Sequence, residues 1–128
     1  MDGITMNVNW TAVGVGALVA YLLGWAWYSP ILFVKTWMAG NGLPIDDNPK
    51  PPIAAMLVQA VGTFSLSWVI GITAAQNALL MALLIVLTIV VLTVSARLYV
   101  QKNASVIAID AGYLVLMGVV MIVCQGIF

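Results

Sequence analysis

The sequence predicts an all-α membrane protein: four transmembrane helices in an antiparallel bundle, with a short interfacial helix after the first span. Three observations carry this. The chain has 128 residues, of which 64% are apolar and only 6% charged. Soluble domains are about 25% charged, so four Lys/Arg and four Asp/Glu cannot clothe a water-facing surface. Four segments are long enough to cross a bilayer core of about 30 Å, which takes about 20 apolar residues. Turn-forming residues fall between those segments, and one transmembrane domain is expected to fill residues 1–128.

The spans are expected at 8–28, 53–75, 78–100 and 104–125. The last three contain no proline and consist mostly of Leu, Val, Ile, Ala and Met. Pro51 and Pro52 stand where the second helix should begin, a place where a missing N–H costs nothing. Asn77 and Asn103 are expected to cap the third and fourth helices. The links Gln76-Asn77 and Gln101-Lys102-Asn103 are short, so the helices they join should be antiparallel neighbours. At the N-terminus, Met1-Asp2-Gly3 has no Lys or Arg, unlike the start of a signal peptide.

The connection from Ser29 to Pro52 has two parts. Residues 31–38 follow Pro30, which should end or kink the first helix. They are apolar apart from Lys35 and read as a helix lying at the membrane interface. Continuation of the first helix beyond a kink is the alternative. Residues 40–52 are turn-rich and read as an aqueous loop. Within it, Asp46-Asp47-Asn48 lacks the spaced ligands of a calcium loop and reads as a solvated turn.

Charge sets an expected orientation. Lys35, Lys50, Arg97 and Lys102 all fall on the two connections that share one side. Cytoplasmic loops carry the excess of Lys and Arg. Both termini are therefore expected outside the cytoplasmic (inner) membrane, with the charged loops inside. Trp27, Tyr28, Lys35 and Trp37 gather near the cytoplasmic boundary and are expected to be interfacial anchors. Trp68 and Tyr113 lie within spans and need another explanation.

Helices in lipid are held by close packing and polar contacts, not by hydrophobicity. Ala12, Gly16, Ala20 and Gly24 recur every fourth residue and form a packing stripe on the first helix. Ala55, Gln59, Thr63, Ser67 and Gly71 do the same on the second. These faces read as internal seams of the bundle. Alternatively, the Gln59, Thr63 and Ser67 face borders an oligomer axis or a polar cavity. Ala104, Ala108 and Gly112 give the fourth helix a similar line. The third helix is nearly all large and aliphatic from Leu83 to Val94, and should face lipid.

Asp110 is the one acid within a span, about 9 Å into the fourth helix by helical rise. A charge there should face protein or water. Arg97 lies across a short turn, so the two are a candidate buried ion pair. This reads as a structural clasp. Ion or proton movement, or a neutral Asp110 bonded to Tyr99 or Tyr113, are the alternatives. Tyr21, Trp25 and Tyr28 share one helix face and read as packing residues. Cys124 reads as a small packing residue.

The chain has no His and no Glu. That removes His-ligated zinc or haem and every Ser-His-Asp or Cys-His mechanism. No catalytic residue, cofactor or metal is expected, and the chain should not be an enzyme. No basic run supports nucleic-acid binding. The expected partners are membrane lipid and either further copies of the chain or other membrane subunits.

The run Trp27-Tyr28-Ser29-Pro30, followed by Phe33, Lys35 and Trp37, resembles a family of small bacterial integral membrane proteins classed as a domain of unknown function. The opening Met6-Asn7-Val8-Asn9-Trp10 before a Gly/Ala-rich helix is similar too. The resemblance implies membrane class and four-span architecture, and transfers no activity and no functional residue. Assembly through helix contacts is thus the expected role, with an oligomeric channel or transporter as the alternative.

Overall fold

In the computed structural model, which describes residues 2–46 and 52–128, every regular element is helical. A short 3₁₀ turn at Asp2–Ile4 precedes α1 (Trp10–Trp27), α2 (Val34–Gly40), α3 (Ile53–Ala75), α4 (Leu79–Tyr99) and α5 (Ala104–Ile127). All but α2 are long and apolar enough to cross a membrane. Asp47, Asn48, Lys50 and Pro51, read above as part of an aqueous loop, lie outside the described residues.

Each helix end has a local cause. Asn9 accepts from the Ala12 N–H at 3.1 Å and caps α1. Pro30 disfavours helical geometry in the residue before it, and α1 stops at Trp27. Ser29 Oγ then donates to Ala26 O at 2.7 Å. The chain turns through residues 28–33 before α2 starts, so α2 is a separate helix and not a continuation of α1. Pro52, extended at φ −61° and ψ 137°, precedes the first turn of α3. Asn103 caps α5 by accepting from Val106 N–H at 3.0 Å.

Asn77 acts differently from expectation. It caps no following helix; it closes the preceding one. Its φ of 52° is left-handed, and Ala78 N–H donates to Thr73 O at 2.8 Å. That is a Schellman closure, which satisfies carbonyls that α3 leaves open. The end of α4 repeats it. Gln101 has φ 59°, and Lys102 N–H donates to Arg97 O at 3.0 Å.

The core forms where α1 meets α3 and α5. The stripe of Ala12, Gly16, Ala20 and Gly24 is buried throughout. A Cβ on Gly16 would stand 3.1 Å from Ser67 Oγ of α3 and 3.5 Å from Met121 Cα of α5, so three backbones approach closely at this point. Ser67 Oγ also donates to Val13 O at 2.8 Å, tying α3 to α1. Thr63 and Ser67 are therefore buried within the chain. The line expected on α5 is displaced: Ala104 and Ala108 are exposed. The buried face of α5 instead runs through Val106, Ile109, Asp110, Tyr113, Met117 and Met121. Spacing alone marks a face but not which neighbour it meets, and here the larger side chains fill the gap beside the glycines of α1.

Helix α4 rests mainly on α5, where Gly118 admits Val86. Its only buried residue is Ala82, and the aliphatic side chains from Leu83 onward are half-buried or exposed. The two aromatics within spans are also explained. Trp68 Nε1 donates to Ile4 O at 2.7 Å and its ring lies 5.5 Å from Trp10, holding the N-terminal turn. Tyr113 OH donates to Ala20 O at 2.7 Å, across the α1–α5 seam.

Gly24→Ala tests this seam. The new Cβ would meet the Tyr113 hydroxyl and lie 2.8 Å from Tyr113 Cζ. Overpacking of this kind costs about 1–3 kcal/mol. Gly14→Ala meets nothing within 4 Å and should be neutral or slightly stabilising. Thermal unfolding in detergent micelles should rank Gly24→Ala below the wild type and Gly14→Ala at or above it.

Candidate functional site

Polar side chains from three other parts of the chain converge at Asp110. It is buried on α5, two turns from the Asn103 cap. A carboxylate in an apolar surround is costly unless its lone pairs are met by donors and its charge by a cation. Both conditions hold. Arg97 Nε donates to Oδ2 at 2.8 Å. Tyr28 OH donates to Oδ1 at 2.6 Å, and Trp37 Nε1 donates to the same oxygen at 2.9 Å. The four residues come from the end of α1, from α2, from α4 and from α5.

Local structure delivers each donor. The Schellman turn after α4 folds the chain back so that the last turn of α4, which carries Arg97, lies beside the first turns of α5. The Pro30 turn ends α1 with Tyr28 already past its last helical residue, free to reach α5. It also starts α2 six residues later, with Val34 and Met38 buried and Trp37 turned to Asp110. Gly40 completes the docking of α2: a Cβ there would collide with Val106 of α5.

Arg97 and Asp110 thus form the ion pair that their positions suggested. The donors that complete it are neither Tyr99 nor Tyr113. Tyr99 is 86% exposed, and Tyr113 bonds to Ala20. The interfacial anchors expected in Trp27, Tyr28 and Trp37 turn their polar atoms inward instead. Trp27 Nε1 donates to Ile109 O at 2.9 Å. The rings of Tyr28 and Trp37 meet edge to face at 5.8 Å, and those of Tyr28 and Tyr113 at 5.6 Å. Lys35 remains exposed on α2.

The candidate polar face is divided. Thr63 and Ser67 are buried, whereas Gln59 is exposed. Gln59 Nε2 approaches Thr63 Oγ1 at 3.3 Å and Met117 Sδ at 3.9 Å, both weak contacts. Tyr21 of the aromatic face donates to Met56 O at 3.0 Å, joining α1 to α3. Cys124 is buried and free. Asp110 lines neither of two surface depressions among the described residues. One, of about 290 Å³, lies between the ends of α3, α4 and α5 near Thr73, Asn77 and Gln125. The other, of about 470 Å³, lies between α2 and the start of α5 near Lys35 and Ser105. Among the described residues, no three His, Cys, Asp or Glu side chains gather as a metal site would require.

The family model described as "Protein of unknown function (DUF1761)" matches residues 11–126. The chain belongs to this family. No curated protein and no solved structure matches it. The DUF1761 match takes in all four long helices almost completely, and Tyr28, Trp37, Arg97 and Asp110 all lie within it.

The burial asymmetry of the ion pair gives an asymmetric mutational response. Arg97→Met removes the counter-charge of a buried carboxylate, a change that costs about 3–5 kcal/mol. Asp110→Asn keeps an acceptor for Tyr28 and Trp37, and leaves an arginine whose side chain is 39% exposed and able to turn outward. It should cost less. The double variant should recover part of the Arg97→Met loss. Unfolding midpoints in one detergent, compared across the three variants, check the order. A milder Arg97→Met than Asp110→Asn would refute it.

Proposed function

We propose that this DUF1761 protein is a small integral membrane protein of the cytoplasmic membrane that acts through helix–helix assembly, as a homo-oligomer or as an accessory subunit of a membrane complex. The observation that carries the reading is the contrast between the two sides of its helices. Inside, Asp110, Ser67, Thr73, Trp27 and Tyr113 all bond within the chain. Outside, α4 exposes Leu80, Leu84, Leu87, Val91 and Leu92, and α3 exposes Leu57, Val58 and Val61. Gly62 is also open, with nothing within 4 Å of a Cβ placed there. Helices in lipid associate by close packing where small residues such as Gly62 let backbones approach.

In this reading the chain is not an enzyme and needs no cofactor. Asp110 is a structural clasp. The four long helices alternate in direction across the membrane, α2 lies at the cytoplasmic interface, and both termini are outside. The Lys/Arg distribution supports that orientation.

Gln59 supports a second reading, an oligomeric channel or transporter for an ion or small solute. It is a polar, weakly bonded side chain exposed at the depth of a span. Residues of this kind mark pathways in membrane proteins. Against it, Thr63 and Ser67 are buried and leave Gln59 without a continuous polar line.

Mass measurement in nanodiscs and flux in proteoliposomes separate the two. Assembly predicts a discrete oligomer or a defined complex, and no flux above empty liposomes. A flux abolished by Gln59→Leu, with assembly unchanged, would replace the first reading by the second. A strictly monomeric chain that co-purifies with no membrane subunit would contradict the assembly role.

A further inference from the structure

We propose that Arg97 and Lys102 form a binding site for the phosphate of an anionic phospholipid headgroup, at the C-terminal end of α4. The guanidinium of Arg97 engages Asp110 through Nε, at 2.8 Å. Its two terminal amino groups have no hydrogen-bond partner among the described residues. Arginine carries five N–H donors in a rigid planar fork. Asp110 uses the Nε–H donor, and the planarity of the guanidinium ties the remaining donors to that bond. The Arg97 side chain remains 39% exposed, while that of the carboxylate it pairs with is 8% exposed. The result is an oriented guanidinium edge at the protein surface, suited to a tetrahedral oxyanion that takes two N–H donors at once.

The turn after α4 adds a second cation. Lys102 N–H donates to Arg97 O at 3.0 Å, which brings the backbones of the two basic residues together although they are five positions apart. Gln101 adopts a left-handed φ of 59° to make that closure. The carboxylate of Asp110 offsets one of the two positive charges, so the cluster keeps net positive charge. That charge sits on the partly exposed members and the negative charge on the buried one.

The surroundings select the source of the phosphate. Leu98, Tyr99 and Val100 are 59%, 86% and 62% exposed, and flank the cations with apolar and aromatic surface. The cluster ends a helix of 21 residues that is apolar enough to span a bilayer. Cations at the end of such a helix, next to an exposed Tyr, stand at headgroup depth. The assignment rests on the membrane reading of α4 and not on the assembly role proposed above. A zwitterionic lipid offers the same phosphate but cancels its charge, so the site should prefer an anionic headgroup.

The test is lipid retention by the purified full chain, counted by native mass spectrometry. Phosphatidylglycerol or phosphatidylcholine is titrated into detergent micelles. Each cation near a lipid surface contributes about a fivefold preference. Wild-type protein should retain phosphatidylglycerol over phosphatidylcholine by at least that factor. Lys102→Gln, in a surface turn, should lower the preference about fivefold. Arg97→Lys, which keeps the charge opposite Asp110 but loses the fork, should also lower it. Combining the two changes should abolish it. Millimolar inorganic phosphate should displace no bound lipid. Equal retention of the two lipids would overturn the proposal, as would a preference unchanged in both single variants. Displacement by inorganic phosphate would also overturn the lipid assignment.

Discussion

A carboxylate placed two turns inside an apolar helix must be met by donors and a counter-charge, and one end of this molecule is organised around that demand. Asp110 receives Arg97, Tyr28 and Trp37, each within 3 Å. Only Arg97 is local to its own helix pair, α4 and α5. Tyr28 and Trp37 are brought from the two sides of the Pro30 turn. The seven-residue α2 would hold few contacts alone, since a short helix has little intrinsic stability. Its indole bond to Asp110, with Val34 and Met38 buried beneath it, gives it a fixed seat. The carboxylate therefore sets the positions of four elements at once.

The remainder of the bundle depends on small residues. Gly16, Gly24 and Gly71 each leave room for a neighbour: Ser67 and Met121, Tyr113, and Val13, respectively. Those close approaches allow side-chain hydroxyls to reach backbone carbonyls of the next helix, as Ser67 does at Val13 and Tyr113 at Ala20. Such bonds run at the same level as the packing that permits them. In lipid, where apolar surface gives no drive for helices to meet, the combination is what holds α1 between α3 and α5.

Composition and length made the four long helices legible, because nothing else explains so many uncharged residues in uninterrupted runs. The ion pair was legible too: one acid and one base at the two sides of a short turn have few other partners. Its further donors were not. Tyr28 and Trp37 are amphipathic rings beside a span, and a ring that meets lipid headgroups has the same sequence signature as one that bonds a buried carboxylate. The scarcity of acids was the usable signal, since a single Asp within a span needs more than one donor. Asn77 misled for a similar reason. Asn serves both as a helix cap and as a left-handed helix terminator, and a two-residue link between helices suits either. The Ala104 and Ala108 line failed because periodicity identifies a face without saying which helix it meets.

The arrangement around Asp110 is tested most directly by the indole N–H signals of the protein in lipid nanodiscs, read by nitrogen-15 NMR. Trp37 donates to the carboxylate, whereas Trp68 donates to Ile4 near the N-terminal turn. Asp110→Asn should shift the Trp37 indole signal strongly, because a charged acceptor becomes neutral, and leave that of Trp68 in place. A Trp37 signal unmoved by Asp110→Asn would mean that the indole does not reach Asp110, and would contradict the carboxylate-centred organisation of this end of the bundle.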